Sequence, residues 1–371
     1  VADAQASQQI TIRHLLQHTS GLSERDYPAN FPPDTPLEDA VRGLSRVRLS
    51  APVGARMQYF NPGYSVLGLV IETLSGQSYG DFIREHIFVP LKMARSFTDP
   101  AEAEAAGLAQ GYGQVFGFAA PLRQRFYSSD LPAGFIVSTA NDMARYLIAL
   151  GNGGELDGAR VLEAENVELL FTPNTAIGST YGFGWMIGDY YGEPQITHGG
   201  DTERFHTAVL LLPESGRSLV LLINENHLLK DLNEYNTMLW GLASIMTDQP
   251  MPQERLSSTI YGWGLLAIWI YTLVSLVRKA IKLPQWRAKI AEWNTRRRWT
   301  EIIKHLAWIA ITVLIVTVVA PALIGRAFVW KWFAASLPEA AIIAATLMLD
   351  DAIQLVYKLS VMIQAGRRHA A

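Results

Sequence analysis

Hydrophobic residues follow two different patterns along the chain. Over the first 250 residues, short apolar segments with helix-like or strand-like periodicity alternate with polar turns. Further on, residues 256–277 and 306–325 form two runs without a charged residue. Each run is long enough to cross a hydrocarbon core of about 30 Å as a helix. The pattern therefore predicts a folded domain over residues 1–250 and a membrane region over residues 251–371.

The first 250 residues predict a mixed α and β structure. Apolar periodicity predicts helices at 10–17, 64–75, 79–89, 141–150, 163–171 and 227–246. Alternating or β-rich runs predict strands at 181–187, 190–198, 207–212 and 218–224. The last two strands are separated by Pro-Glu-Ser-Gly, which indicates a hairpin. We expect an α+β fold, with an antiparallel sheet and a largely helical insertion.

A third membrane span is predicted at 340–363, with a weaker signal. This segment contains Asp350, Asp351 and Lys358, and a central acidic residue costs about 2.5–3.5 kcal/mol on insertion scales. Two interpretations are open. Either the acids face the neighbouring helices or a wet interface, or they form a functional site within the membrane.

Charge separates the same two regions and predicts their orientation. Residues 1–277 carry a net charge of −12 and residues 278–371 carry +9, which together give the formal charge of −3. The loop 278–304 holds nine Lys and Arg against two Glu, so the positive-inside rule places it in the cytoplasm. The preceding domain is then extracytoplasmic, and three spans put the basic C-terminus inside. We expect a multi-pass protein of the cell membrane.

Composition excludes several classes of protein. The chain has no cysteine, which excludes a disulfide scaffold and thiol chemistry. The acidic domain has no basic stripe for a nucleic acid, and 10% aromatic residues argue against disorder. The sequence begins at Val1 without a Met or a signal peptide, which suggests a mature product or a fragment. The motifs below favour a fragment.

Two short motifs bring together side chains that can do chemistry. Tyr59 and Asn61 are two residues apart, so on an extended segment a phenol and an amide point into one cleft. His198 precedes Gly199 and Gly200 after a strand-like run, where it could donate to a substrate carboxylate. Taken alone, each motif is more simply an ordinary turn with a packed side chain.

Other motifs are absent or incomplete. The sequence has no Gly-x-Ser-x-Gly nucleophile elbow, no P-loop and no glycine-rich dinucleotide fingerprint. His14 and His18 have the spacing of a zinc-protease pair, but Leu15 stands where the catalytic Glu would be. We interpret them as a structural pair at a helix end and predict neither a metal nor a cofactor.

An ordered set of motifs resembles one enzyme family. The segment Ile-Thr-Ile-Arg-His-Leu-Leu-Gln-His-Thr-Ser-Gly-Leu at 10–22 resembles a signature of the class C β-lactamase-type serine hydrolases, a group that includes D-Ala-D-Ala carboxypeptidases and esterases. Tyr59-Phe60-Asn61 resembles the Tyr-x-Asn motif, and His198-Gly199-Gly200 resembles a His-x-Gly version of the third motif. The segments 90–93, 132–142 and 181–185 match further landmarks in the expected order. The resemblance covers about residues 10–247.

The resemblance implies a fold and a set of roles. The fold is a β-lactamase/transpeptidase-like antiparallel sheet flanked by helices, with a helical subdomain. Tyr59 would move a proton, Asn61 would hold the acyl-side amide, and His198 would assist near the substrate carboxylate or Tyr59. Gly199, Gly200 and Asp201 would line the substrate and oxyanion site, with one oxyanion N–H from about Asp201.

Two departures from the family pattern matter. The nucleophile of the family is the Ser of a Ser-x-x-Lys motif, and no Lys of this sequence has Ser three positions before it. We expect the nucleophile segment to lie upstream of Val1 in a longer parent. Arg204-Phe205 also stands where the family often has Gly-Phe, which puts the shape of the cleft rim in doubt.

The function expected is that of a membrane-anchored serine hydrolase. It would act through an acyl-enzyme on an amide or ester of a peptide or small molecule, with peptidase or esterase activity favoured over β-lactamase activity. This chain by itself would be inactive. The alternative is a non-catalytic, membrane-anchored module that binds a peptide or the cell wall. A transporter with an external domain rests only on Asp350 and Asp351.

Overall fold

The computed structural model describes residues 1–24, 27, 31–253, 257–290, 292–319 and 334–370. Contacts between Cα atoms divide the chain into two compact units. The first unit comprises Val1–Gly113, Pro121–His227 and Glu234–Arg255. The second unit comprises Gln114–Ala120, Leu228–Asn233 and Leu256–Ala371.

Helices and strands alternate through the chain. The helices are α1 Ala4–Gln9, α2 Ile12–Leu16, α3 Leu37–Gly43, α4 Asn61–Ser75, α5 Tyr79–Ile83, α6 Pro100–Ala105, α7 Ala140–Gly151, α8 Ala164–Leu170, α9 Leu228–Lys230, α10 Asn236–Thr247, α11 Ser258–Ile290, α12 Thr295–Leu314 and α13 Pro338–Ala370. The strands are β1 Tyr112–Val115, β2 Phe118–Pro121, β3 Glu155–Leu156, β4 Ala159–Arg160, β5 Met186–Tyr190, β6 Glu193–Asp201, β7 His206–Leu212, β8 Arg217–Ile223 and β9 Glu225–Asn226.

A four-stranded antiparallel sheet organises the first unit, in the order β5-β6-β7-β8. Successive side chains of β7 point to opposite faces of this sheet. On one face Leu211 packs with residues of α7 and α8, including Leu147 and Val167. On the other face Leu210 and Leu212 pack against α10. Because both faces are covered, β7 is apolar over almost its whole length, and the expected α+β fold is confirmed.

Local signals in the sequence account for the ends of several helices. Gly76 ends α4 in the left-handed conformation at φ 71°, as expected of a helix C-cap. The Ser78 side chain accepts from the Asp81 backbone N–H and begins α5. Thr11 and His14 form a reciprocal capping box at the start of α2. This last contact confirms a structural role for His14 at a helix end.

One strand prediction was wrong in its position. The run 181–187 was expected to be a strand, but β5 begins at Met186 and continues to Tyr190. Tyr191 and Gly192, both with positive φ, form the turn to β6. Tyr181 makes only an isolated bridge to Met186. The aromatic residues of the run 181–185 resemble those of a strand. Tyr181 and Trp185 are indeed buried, but the backbone of this run is irregular.

The second unit contains three helices long and apolar enough to cross a membrane. They are Ser258–Gln285, Thr295–Val319 and Pro338–Gln364. Each covers most of a predicted span, and the predicted positions 320–325 lie outside the described residues. The first helix continues past the uncharged run through Arg278 and Lys279 as far as Ile290.

Charged side chains between these helices form a connected layer. Lys279 of α11 donates to Asp350 of α13 at 2.9 Å, and His305 of α12 contacts Asp351 at 2.6 Å through Nδ1. Lys358 lies 2.8 Å from the other ring nitrogen of His305. Since each acid has a basic partner on a neighbouring helix, the contacts favour the structural interpretation of Asp350 and Asp351.

The turn between β1 and β2 also belongs to the second unit. Glu339, fully buried at the start of α13, accepts a hydrogen bond from the Phe116 backbone N–H at 2.6 Å. The Phe116 ring stacks on Trp269, with 5.3 Å between the centroids. Gly117 adopts φ 84°, and a Cβ at Gly262 would lie only 2.5 Å from the Gly117 nitrogen. A side chain at either glycine would push the turn away from the helices.

Candidate active site

A short extended segment presents Tyr59, and Asn61 follows it as the first residue of α4. Between them, Phe60 is extended and its ring is buried. Because side chains alternate along an extended segment, a buried Phe60 turns Tyr59 away from the core. Asn61 is the first residue of α4, three positions earlier than the predicted helix start. Tyr59 remains 38% exposed and is therefore open to a ligand.

The Asn61 amide is oriented by a carboxylate. Asn61 Nδ2 donates to Glu24 Oε1 at 2.8 Å, and the Asn61 backbone N–H donates to the same oxygen at 3.4 Å. An ionised carboxylate accepts hydrogen bonds and cannot donate them. The NH₂ end of the Asn61 side chain, which donates, therefore faces Glu24. The Asn61 carbonyl oxygen then points elsewhere and can accept from a ligand N–H.

Four aromatic rings lie behind Tyr59, and we call the five rings together the ring cluster. The His18 ring lies 4.2 Å from Tyr59, 5.2 Å from Tyr64 and 5.0 Å from Tyr181 between centroids. His198 lies 6.4 Å from Tyr59 and 6.0 Å from Tyr181. The cluster gathers residues from the turn after α2, the extended segment before α4, α4 itself, the run before β5, and β6. The members are His18, Tyr59, Tyr64, Tyr181 and His198.

Hydrogen bonds join three of these rings into a chain. The Tyr64 hydroxyl donates to the Leu16 carbonyl at 2.9 Å. Tyr181 is hydrogen-bonded to Tyr64, and its oxygen lies 3.0 Å from His198 Nε2. Because Tyr64 has already given its proton to Leu16, Tyr181 donates to Tyr64. His198 Nε2 must then carry the proton that it donates to Tyr181.

His18 is the deepest member of the ring cluster. Its side chain is 2% exposed, and its Nδ1 accepts from the Phe60 backbone N–H at 3.1 Å. The proton of the neutral ring is therefore on Nε2, which has no hydrogen-bond partner among the described residues. The backbone at His18 has φ 53°, in the left-handed region that residues other than glycine adopt uncommonly. His18 thus holds the backbone of Phe60, between Tyr59 and Asn61, by a hydrogen bond and packs against the Tyr59 ring.

Burial determines the protonation states in the cluster. Burial, and then the charge of His198, lower the pKa of His18 to about 3. Burial also lowers the pKa of His198 and raises those of Tyr64 and Tyr181. At neutral pH both imidazoles are uncharged. His198 is therefore a neutral hydrogen-bonding group, not the positive charge for a carboxylate that its sequence context allowed.

The end of β6 carries the remaining predicted site residues. Pairing of β5 with β6 stops at Met186↔Thr197, whereas β7 continues to pair as far as Asp201↔His206. In the described part of the chain, β6 beyond Thr197 is thus paired with a strand on its β7 side only. Gly200 is required there, because a Cβ would lie 2.6 Å from Thr207 Oγ1. The Asp201 carboxylate is held by His206 Nδ1 at 2.8 Å and by Asn226 Nδ2 at 3.2 Å.

Tyr59 and His198, predicted from separate motifs, are brought into one cluster, with Asn61 beside Tyr59. Gly199, Gly200 and Asp201 continue from His198 along β6. Sequence reasoning did not assign a site role to Tyr64, Tyr181 or Glu24, although Tyr181 lies within the family landmark 181–185. His18 was treated only as a helix-end residue, and its positive φ is invisible in the sequence. Arg204, which stands where the family often has glycine, is 9% exposed, and its backbone N–H donates to the Gln124 side chain.

Comparison with known proteins assigns residues 1–240 to a protein family. The family model described as Beta-lactamase matches residues 1–240. The chain is 31% identical over 240 residues to penicillin-binding protein 4 of Amycolatopsis lactamdurans, which covers 60% of this chain and 62% of that protein. The chain therefore spans less than two thirds of the length of this relative.

Solved structures show the same fold. The octameric penicillin-binding protein homologue from Pyrococcus abyssi superposes with a TM-score of 0.57 at 23% identity, covering 67% of this chain and 60% of that one. A penicillin-binding protein from Bacillus halodurans gives a TM-score of 0.50 at 25% identity, covering 58% and 68%. The ring cluster and the end of β6 lie within the residues that the family model matches.

Proposed function

The chain belongs to the β-lactamase family, and we propose on that premise that it forms part of a membrane-anchored serine hydrolase. The reaction proposed is acyl transfer from an amide or ester of a peptide or small molecule. The observation that carries the proposal is the ring cluster, which leaves one phenol, Tyr59, exposed above neutral, buried imidazoles. This arrangement supports proton transfer at Tyr59, a phenol that a ligand can reach while the rings behind it are shielded from bulk water.

Asn61 and the end of β6 are proposed to hold the substrate. The Asn61 carbonyl oxygen, oriented by Glu24, accepts from the acyl-side amide N–H. The unpaired side of β6 at Gly199 and Gly200 offers backbone groups to an extended substrate, as strand addition does in peptide-binding domains. A backbone N–H near Asp201 would donate to the oxyanion, and such a donor contributes about 2.7–4 kcal/mol to transition-state stabilisation.

His198 is proposed to act through its neutral ring. Its Nε2 proton is given to Tyr181, which keeps the imidazole in one tautomer and one orientation. The ring also makes a hydrogen bond with the Gly199 backbone, which holds it at the end of β6 beside Tyr59. Because burial lowers the pKa of His198, this role persists at neutral pH and is lost only when acid protonates the ring.

The nucleophile is proposed to come from outside these residues. No Ser-x-x-Lys occurs among the 371 residues. In the complete reaction a serine Oγ forms a bond to the carbonyl carbon, and Tyr59 accepts the serine proton as it donates its own phenolic proton to the leaving nitrogen or oxygen. The C–N or C–O bond breaks, and Tyr59 is again a neutral phenol. Water hydrolyses the resulting ester by the same route in reverse.

Labelling with a fluorescent β-lactam or a fluorophosphonate tests the proposal. We expect no covalent label on residues 1–371 and a single acyl adduct, seen by intact mass, on a longer protein that includes the upstream segment. In that protein Tyr59→Phe should slow acylation by about 10²–10⁴-fold, the usual contribution of general acid–base catalysis. Acylation of residues 1–371 themselves would show that the nucleophile assignment is wrong.

A second candidate function follows from the missing motif. If the longer protein also lacks Ser-x-x-Lys, the same cleft fits a non-catalytic module that binds a peptide or the cell wall. This candidate predicts saturable peptide binding that Gly200→Val weakens, since a Cβ there meets Thr207. The residues preceding Val1 distinguish the two functions most cheaply.

The membrane arrangement is part of the proposal. Three apolar helices and the basic segment 278–304, which comprises the end of α11 and the start of α12, support an extracytoplasmic first unit and a cytoplasmic C-terminus. Because the chain has no cysteine, single-cysteine variants report sidedness without background. An impermeant maleimide should label Leu74→Cys in intact cells and Ala371→Cys only after lysis. Labelling of both in intact cells would rule out three spans.

A further inference from the structure

Helix α10 has an apolar face that the described residues of the chain do not cover. Its inner side, with Leu239 and Ala243, packs on the sheet. The outward side carries Met238, Leu242 and Ile245, which are 45%, 39% and 67% exposed. These three positions have the i, i+4, i+7 spacing of one helix face. The solvent-facing side of a surface helix normally carries charged residues. In contrast, α10 has no charged residue from Asn236 to Thr247.

The segment after α10 extends this face into a larger patch. Met251 is 62% exposed, and its Cε would lie 3.4 Å from a Cβ at Gly241, so it lies across α10. Tyr191, 59% exposed, donates to the Pro250 carbonyl at 3.5 Å. We call these residues the α10 patch. They are Tyr191, Met238, Leu242, Ile245 and Met251.

Aromatic side chains line a cavity of about 300 Å³ beside the patch. Tyr190 stacks on Trp240 with 5.6 Å between the centroids, and Tyr191 meets Tyr190 edge-on at 4.9 Å. Tyr and Trp beside exposed aliphatic residues are typical of surfaces at the level of lipid headgroups, because their rings are apolar and their edges are polar.

We propose that the α10 patch lies in the outer lipid surface of the membrane, with its aliphatic side chains inserted at the boundary between headgroups and acyl chains. This inference rests on the proposed membrane anchoring by the three apolar helices. The length of the connection supports a lipid occupant. α10 ends at Thr247 and the first of those helices begins at Ser258, and eleven residues span at most about 40 Å.

Charge indicates which interaction drives this contact. No Lys or Arg belongs to the patch, and the chain up to residue 277 carries a net charge of −12. Attraction to anionic headgroups is therefore absent, and insertion depends on burial of apolar area. We expect the contact to form on zwitterionic phosphatidylcholine and to be insensitive to salt.

Spin labels on single cysteines in the full chain test the proposal. The chain, in phosphatidylcholine nanodiscs, carries the label at Ile245→Cys in the patch, at Ile270→Cys in the first apolar helix, or at Leu74→Cys at the end of α4. Leu74 is the matched aqueous control, because it is a single exposed leucine at 82% exposure. Relaxation by oxygen reports lipid, and relaxation by a water-soluble nickel chelate reports solvent.

We expect oxygen to relax the labels at 245 and 270 more than nickel, and nickel to relax the label at 74 more than oxygen. The label at 245 should lie about 5–10 Å below the headgroup level, as for interfacial helices. Adding Leu242→Glu should move label 245 into water, whereas Leu74→Glu should not. Thermal unfolding of both variants checks that the fold is retained.

Each other outcome has a definite meaning. If label 245 behaves like label 74 while label 270 remains in lipid, the patch does not dock and the anchoring proposal stands. If label 270 is also in water, the anchoring proposal itself fails. If label 245 shows spin–spin broadening that disappears on dilution with unlabelled chain, the occupant is a second copy and the lipid proposal is overturned.

Discussion

Acid should destabilise the first unit through its buried histidines, and the contribution of His18 can be measured separately because its pKa is lowered far from the ordinary value. Folded His18 has a pKa of about 3, against an ordinary value of 6.5. Below pH 6.5 the unfolded chain binds a proton at His18 that the folded chain does not, so stability is complete above that pH and falls as the pH is lowered towards 3. At about 1.36 kcal/mol per pH unit, the loss between pH 6.5 and pH 5 is about 2 kcal/mol.

His18→Asn isolates this effect, because the Asn oxygen can still accept from the Phe60 N–H but cannot titrate. Burial and Glu24 raise the pKa of Asp130 to about 6, which acts in the opposite direction. As the pH falls, Asp130 is protonated at a higher pH in the folded chain than in the unfolded chain. Its protonation therefore stabilises the fold as the pH is lowered. Both proteins keep Asp130, so the difference between them belongs to His18.

Urea unfolding at pH 7 and pH 5 measures this difference, with a fluorophore on Leu74→Cys as reporter. The protein with His18 should lose about 2 kcal/mol more than His18→Asn over this interval. His14→Asn, a change at a half-exposed histidine of α2, controls for the loss of an imidazole. An equal pH dependence of the unfolding free energy in the His18 protein and in the His18→Asn variant would refute a neutral, buried His18.

Three further predictions test contacts in both units. Glu339→Ala removes the acceptor of the buried Phe116 N–H and should cost about 1–3 kcal/mol in thermal unfolding, whereas Glu339→Gln keeps an acceptor and should cost less. Asp351→Leu should lower the melting temperature of the apolar helices, and His305→Leu in the same protein should recover about 1 kcal/mol, because it removes the Nδ1–H group that has lost its acceptor; simple additivity would contradict the pairing. Tyr181→Phe should cost about 0.5–1.5 kcal/mol and shift the ¹⁵N resonance of His198 Nε2, and an unchanged resonance would exclude the hydrogen bond.

Periodicity gave reliable elements wherever one face of a segment is buried. The β7–β8 hairpin and α4 with its Gly76 cap follow from patterns of two and 3.6 residues. Prediction was weaker for the run 181–185, where aromatic residues are buried by loops and no ladder forms. There the apolar composition is real, but burial does not require regular structure.

The candidate site was predictable only in part. The motif spacing brought Tyr59 and Asn61 to one place, because both flank a single buried residue. It could not supply Glu24, since a carboxylate 37 positions away meets Asn61 only after the chain folds. It also could not give the charge of His198, because the pKa depends on how much of the ring is buried.

The sequence by itself determined the division into an acidic domain and a basic, apolar region, the α+β class, and the family whose motifs occur in order. These properties depend on local periodicity, composition and charge, which need no long-range contact. The tertiary structure decided the rest. It placed five rings in one cluster, made both of its imidazoles neutral through burial, paired Asp350 and Asp351 with basic residues of other helices, and left one apolar face of α10 uncovered by the described residues. Each of these depends on which distant residues come into contact. Packing decides which groups are buried together at low dielectric and which apolar faces stay exposed.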